Sequence, residues 1–411
     1  MSMPTAAPLA LPPELDDDLV ALYRSWDLLE RPGGNAVIDF DLAPPSGATR
    51  AESREAVRNS LESLLTRTAG LDREARELVD ARLQASIAFL EAQRGARTPL
   101  ADYVRGTLGV APVLFDEEIL ARQRNRVEEL LQTHRPPHDR RALAFSPADF
   151  HRFQSALAVH KPGLLPRQFE FYRDKWLPRV RDFLDVPLHL YTVNVSFASE
   201  DAYWKNWISG NLAAHVIDLR INIHPRHIWY QGSAEPLVLH EYCGHAVQMI
   251  SWHQQIEAGR LPRFAGILTV HFPDQFAIEG LAEVMAHVLP DGLPLENKSR
   301  LARELHRYSL MVMNNVHIIA NDRSESEAFE YGSGRLPFTK DDVLRREIRE
   351  RTHDPLNRCY QYVYGIAKER FLGALAELGD RGWSLLETIY RRPMTADQFE
   401  RLRQQLVSVR A

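Results

Sequence analysis

The stretch VLHEYCGHAVQMI, Val238 to Ile250, decides how this chain is read. It places a glutamate and two histidines among apolar neighbours, with His240 and His245 five residues apart. Helices that hold a metal through two histidines usually read H-E-x-x-H, with the histidines four apart and both rings on one face. Five steps of about 100° turn a regular α-helix through about 140°, so here the rings would diverge. The segment is either a metal helix with one extra residue or a buried helix that happens to contain two histidines. Leu237, Val238, Leu239, Ala246, Val247, Met249 and Ile250 point in nearly all directions, so burial all round is expected. An ionisable group there costs on the order of several kcal/mol unless it is paired or bound to a metal. Ser233 is the expected N-cap, with Glu235 and Pro236 in the first turn and the end near Gly259.

A second helix answers the first. PDQFAIEGLAEVMAHVL, Pro273 to Leu289, is again mostly apolar, and Asp274 is its expected N-cap. Glu279, Glu283 and His287 follow at spacings of four, on one narrow polar stripe about 40° apart per step. A solvated acidic face would need fewer of the apolar residues Phe276, Ile278, Leu281, Val284 and Met285. Two buried helices with in-register imidazoles and carboxylates favour a metal site, because zinc takes a few N and O ligands and keeps an open position when catalytic.

Just before these helices lies the one strand-like region, between about Pro187 and Pro225. LHLYTVNVSF and HVIDLRINIHP alternate apolar and polar residues and are rich in β-branched types. A sheet edge there can hold an extended peptide by main-chain hydrogen bonds, although a purely structural hairpin explains the pattern equally well. Elsewhere the periodicity is helical, over Glu14–Leu29, Ala51–Thr68, Asp72–Arg94, Asp116–Thr133 and Pro166–Phe183. Ser146 and Thr395 read as N-caps, and RPGGN at Arg31, APPSG at Ala43 and HRPPHDR at His134 read as breaks. The expected fold is mainly α, a large helical assembly with a small β element preceding the metal-binding helix. A helical N-terminal lobe over 1–140 is expected to pack on a metal-binding lobe over 141–411 that holds the sheet at about 187–225.

Composition narrows the class. The 411 residues are 45% hydrophobic, enough for a large core. A net charge of −5 with interspersed signs gives no nucleic-acid surface. Two cysteines make no disulfide framework, the N-terminus lacks the pattern of a signal peptide, and no run of 18 apolar residues suits a membrane span. A soluble cytoplasmic protein without membrane or nucleic-acid partners is expected.

The motif residues resemble those of the gluzincin metallopeptidases. His240, Glu241, Gly244 and His245 meet the H-E-x-x-G-H pattern of the dipeptidyl-peptidase III family. EGLAE, Glu279 to Glu283, resembles the E-G-W-A-x-x-x-E segment of helical bacterial metallopeptidase-like proteins with an H-E-x-x-P-G-H motif. YVYG, Tyr362 to Gly365, resembles their late Tyr-x-x-Gly segment. The resemblance covers about Val193 to Phe371. It implies zinc held by His240, His245 and Glu279, with Glu283 accepting the second N–H of a ligating histidine; chemistry alone leaves Glu283 open as the ligand. It also implies Glu241 as the base that activates water and Tyr362 as the donor to a tetrahedral oxyanion, ahead of Tyr364, His317 and Arg358. Cys243 reads better as a small packing residue than as a thiolate ligand. His287 reads as support or core, and His215, His224 and His227 as surface or cleft histidines.

The expected function is a zinc-dependent hydrolase cleaving an amide or peptide bond in a peptide or small peptide-like substrate. The alternatives are the same frame repurposed for a small non-peptide molecule in a biosynthetic pathway, a mononuclear or dinuclear iron oxygenase, and a scaffold without metal. All the metal readings need the extra residue absorbed, and Gly244 makes a π-type bulge easy. A widened turn between Glu241 and His245 is therefore expected.

Overall fold

The computed structural model describes residues 9–31, 38–44, 47–133, 146, 148–149, 162–201, 205–224, 229–289 and 294–408. Helices form where apolar residues recur at three-four spacing, over Pro13–Glu30, Arg54–Arg67, Arg73–Gln93, Leu100–Leu108, Glu117–Thr133 and Leu165–Phe183. Their starts have local causes. Pro13 opens the first, and the Ser53 and Asp72 side chains accept from the Ala56 and Ala75 N–H groups. Ser146 likewise accepts from Asp149 N–H at 3.2 Å. Thr395 and Gln398 cap each other's N–H groups, a reciprocal box that starts the last helix, Ala396–Ser408. The expected breaks at Arg31, Ala43 and His134 fall partly or wholly outside the described residues.

The fold is mainly α, with little sheet. Strands β1 (Ile38–Asp39) and β5 (Leu268–Thr269) form a short antiparallel ribbon. Strands β2 (Thr192–Ala198), β3 (Asn206–Asn211) and β4 (Val216–Asn222) form a second sheet in the order β2-β4-β3. The two strands read from the sequence do pair, but in parallel, Thr192 opposite Val216, so they are not a hairpin. β3, which the polar stretch NWISGN concealed, is antiparallel to β4. Ile217, Leu219 and Ile221 of β4 face the core, as period-2 alternation requires.

Four helices enclose the space beside this sheet. The histidine helix runs on through Ala234–Leu237, Val238–Ala246 and Val247–Glu257. The glutamate helix spans Gln275–Val288, a long helix Asn297–Asp322, and the tyrosine helix Pro355–Leu378.

Residues from both sides of position 140 share the main hydrophobic core, which runs from Leu9 to Leu406. A second core joins Leu120, Val127 and Leu131 to Leu301, Met311 and Val316. Arg82, fully buried, forks onto both oxygens of Asp274 at 3.0 and 2.7 Å and binds the Phe264 carbonyl at 2.6 Å. The helix Arg73–Gln93 is thereby tied to the start of the glutamate helix. Asp274 begins the glutamate helix, but its carboxylate goes to Arg82 and does not cap the helix as expected.

Candidate metal centre

The residues Val238–Ala246 form a π-helical turn, the widened turn that the five-residue spacing requires. With i→i+5 bonding, residues five apart lie on one face. His240 and His245 accordingly converge, their Nε2 atoms 3.2 Å apart and their rings edge to face. Gly244 has a further role that the sequence did not reveal. A Cβ there would stand 2.7 Å from Ala282 Cα, so its absence lets the histidine and glutamate helices touch. Ala282 lies between Glu279 and Glu283, and the close approach delivers both carboxylates to the histidines.

Glu279 is buried. Its Oε1 accepts the Tyr360 hydroxyl at 2.5 Å, while Oε2 is buried without a hydrogen-bond partner. That oxygen lies 3.7 Å from His240 Nε2 and 3.5 Å from His245 Nε2. A tetrahedral ion with bonds of about 2.1 Å keeps its ligand atoms about 3.4 Å apart. The triangle of 3.2, 3.5 and 3.7 Å fits such an ion, and a buried carboxylate oxygen with no donor is what a ligand looks like without its metal.

Glu283 is fully engaged elsewhere. Its Oε1 lies 3.1 Å from His306 Nε2 and 3.5 Å from His240 Nδ1, and its Oε2 accepts from Lys368 at 2.8 Å. By facing Nδ1 of His240 it turns Nε2 of that ring toward Glu279. Burial alone would raise its carboxyl, but Lys368 and His306 outweigh it and hold Glu283 well below the usual carboxylate range. Glu279 is lowered in the same way, burial being outweighed by His245 and His240. Burial disfavours a charged His245, yet Glu279, Glu241 and Glu283 push it up to about 9. The point between these side chains is thus built to attract positive charge.

Tyr362 does not reach this point, a correction to the expected oxyanion donor. Its hydroxyl accepts from Val113 N–H at 2.7 Å, and the ring is packed edge to face on His317. Two residues along a helix turn through about 200°, so the site is met instead by Tyr360 and Tyr364. Their rings meet edge to face, and burial together with the Glu279 charge holds both hydroxyls well above the usual tyrosine range. They are donors at neutral pH, not bases. Arg358 is also turned away, bound to Asn321 and the Thr98 carbonyl. Cys243 is buried with its carbonyl accepting from Tyr390, and His287 faces a separate cleft beside Trp383. His215 packs at a tilt against Tyr191, and His227 lies outside the described residues.

The site opens into a cavity of about 650 Å³ lined by Glu241, Trp229, Trp252 and the β3 segment. Glu241 is buried beside the donor triangle, 3.9 Å from His240 Nε2. Along β3, the Lys205 carbonyl accepts from Asn222 of the adjoining β4 chain, whereas Gly210 N–H turns away to Asp41. Main-chain groups of the odd-numbered residues therefore face β4, and those of Asn206 and Ile208 face outward. Asp39 also lines the cavity, and burial and the neighbouring charge of Asp41 push its carboxyl up to about 7. Sequence reasoning missed Tyr360, His306 and Lys368. Tyr360, Tyr364 and Lys368 share a spacing of four that could have marked one face; His306 carried no local signal.

No family model and no curated protein matches this chain. Among solved structures, a "putative lipoprotein" from Colwellia psychrerythraea shares the fold with a TM-score of 0.57 at 15% identity, over 85% of this chain and 66% of its own. This chain thus spans just under two thirds of that protein. A "putative lipoprotein of unknown function" from Shewanella oneidensis aligns at 0.48 and 13% identity, over 86% of this chain and 71% of its own. The name of the Colwellia protein speaks of a lipoprotein, and the cytoplasmic expectation is withdrawn on that finding. Cys243 and Cys359 are both free and buried, and serve as small core residues. Among the described residues no helix is long and apolar enough to cross a membrane.

Proposed function

We propose that this protein is a zinc-dependent hydrolase of amide or peptide bonds. The observation that carries the reading is the triangle of His240 Nε2, His245 Nε2 and the partnerless Glu279 Oε2, with Glu241 at its side. A zinc ion held there would act as a Lewis acid and make water acidic enough to ionise near neutral pH. Glu241 takes the proton of the attacking water and passes it to the leaving amine. Tyr364 donates to the oxyanion, since the Tyr360 proton is committed to Glu279. Glu283, with Lys368 behind it, keeps His240 oriented. The outward-facing groups of Asn206 and Ile208 offer an extended substrate an edge to pair with.

Two histidines and one carboxylate also suit non-haem iron, and the cavity would admit a small non-peptide molecule. Elemental analysis of the wild type beside His245→Ala and Glu279→Ala decides the first point. Stoichiometric zinc in the wild type, lost from both variants, is expected; iron with visible absorbance, or zinc retained by either variant, opposes the reading. A panel of model peptides left uncleaved by the zinc-loaded protein would turn it toward non-peptide chemistry.

A further inference from the structure

Three lysine and arginine side chains line the cavity, and two are already neutralised. Arg303 binds the Glu304 carboxylate and the Ala286 carbonyl, and Lys368 binds Glu283. Lys205 differs. Its ammonium stands over the Trp229 ring, 4.3 Å from the centroid, and among the described residues no carboxylate lies within ion-pair distance of it. The position has a direction as well. Lys205 immediately precedes β3, at the N-terminal end of the free edge formed by Asn206 and Ile208. A chain paired antiparallel to that edge ends its carboxyl side at Lys205, whereas a parallel chain brings an α-ammonium against the lysine. From Ile208 to Lys205 is three residues, about 10 Å of extended chain.

We infer that Lys205 is the counter-charge for a free carboxylate at the end of the substrate, so that the site takes short peptides or acylated amino acids with an unblocked C-terminus. This rests on the hydrolase reading for the orientation of the substrate, but not for the binding of the carboxylate. The Trp229 ring holds the ammonium in place while leaving its N–H groups to the ligand. A lysine carboxylate contact of this kind discriminates a free acid from its uncharged amide by about tenfold.

The test uses N-acetyl-trialanine as the free acid and as the C-terminal amide. Binding is measured calorimetrically on the full chain carrying Glu241→Gln, and turnover on the chain with Glu241 intact. The acid is expected to bind about tenfold more tightly, with the preference lost in Lys205→Met and kept in Lys205→Arg. Equal binding of acid and amide, binding of neither, or a preference that survives Lys205→Met overturns the inference. Preferential binding of the acid with no turnover of either peptide leaves Lys205 in its role and removes the hydrolase reading. Equal binding of acid and amide together with turnover of both does the reverse.

Discussion

At the scale of single residues, Glu279 is told from Glu283, and Tyr360 and Tyr364 from Tyr362, by what each oxygen touches. Glu279 keeps one oxygen free of any donor, while Glu283 has both occupied, so spacing alone could not have separated them. Glu241→Gln is expected to keep its metal and lose at least about 10²-fold in kcat, because the amide cannot carry the proton. Full activity with metal bound would remove Glu241 from the mechanism. Tyr364→Phe should lower kcat by about 10²-fold with the metal content unchanged. Tyr362→Phe, whose hydroxyl accepts from Val113 N–H and donates to the Ala111 carbonyl, should lower thermal stability slightly and leave kcat alone. A reversed pattern in steady-state kinetics would restore Tyr362 as the donor.

At the scale of elements, helix contact sets the ligand geometry. The π turn aligns two histidines that a regular helix would splay, and Gly244 seats that turn against Ala282. Gly280 does the same on the other side, since a Cβ there would stand 2.3 Å from the Phe371 ring of the tyrosine helix. Both glycines thus permit the close packing that places Glu279 between His240 and Tyr360. Gly244→Ala is expected to cost about 1–3 kcal/mol in denaturant unfolding and to weaken zinc binding in parallel. A stable variant with undiminished zinc affinity would show that the helices can move apart without moving the ligands. The positions of the helices and the need for a widened turn were legible in the sequence, because periodicity and spacing are local. The parallel pairing of β2 with β4 was not, since β3 lies between them in the chain and its polar residues hide its alternation.

At the scale of the whole molecule, the main core runs from Leu9 to Leu406, and Asp39 is one group that links its stability to pH. Burial and Asp41 raise its folded value to about 7, with Asp218 adding its charge on Asp41. A carboxyl raised on folding contributes stability that is complete below its unfolded value, about 4, and is lost as pH rises through about 7. The protein should therefore lose about 2–3 kcal/mol from this group between pH 5 and 8, and Asp39→Asn should flatten that slope. Urea unfolding at several pH values checks it; an unchanged slope in the variant would assign the dependence to other groups.

The sequence by itself determined the helical class, the helix-borne pairing of His240, Glu241 and His245 with Glu279, and the turn that must widen to join them. Those features follow from spacing along one or two helices, where a few residues set which side chains share a face. Only the tertiary structure decided that Tyr364 stands at the site while Tyr362 does not, and that Lys368 and His306 claim Glu283. It also decided that Arg82 reaches across the chain to Asp274, joining the early helices to the core beneath the candidate metal centre. Each of these depends on which helix faces meet, and that is settled by packing between residues far apart in the chain.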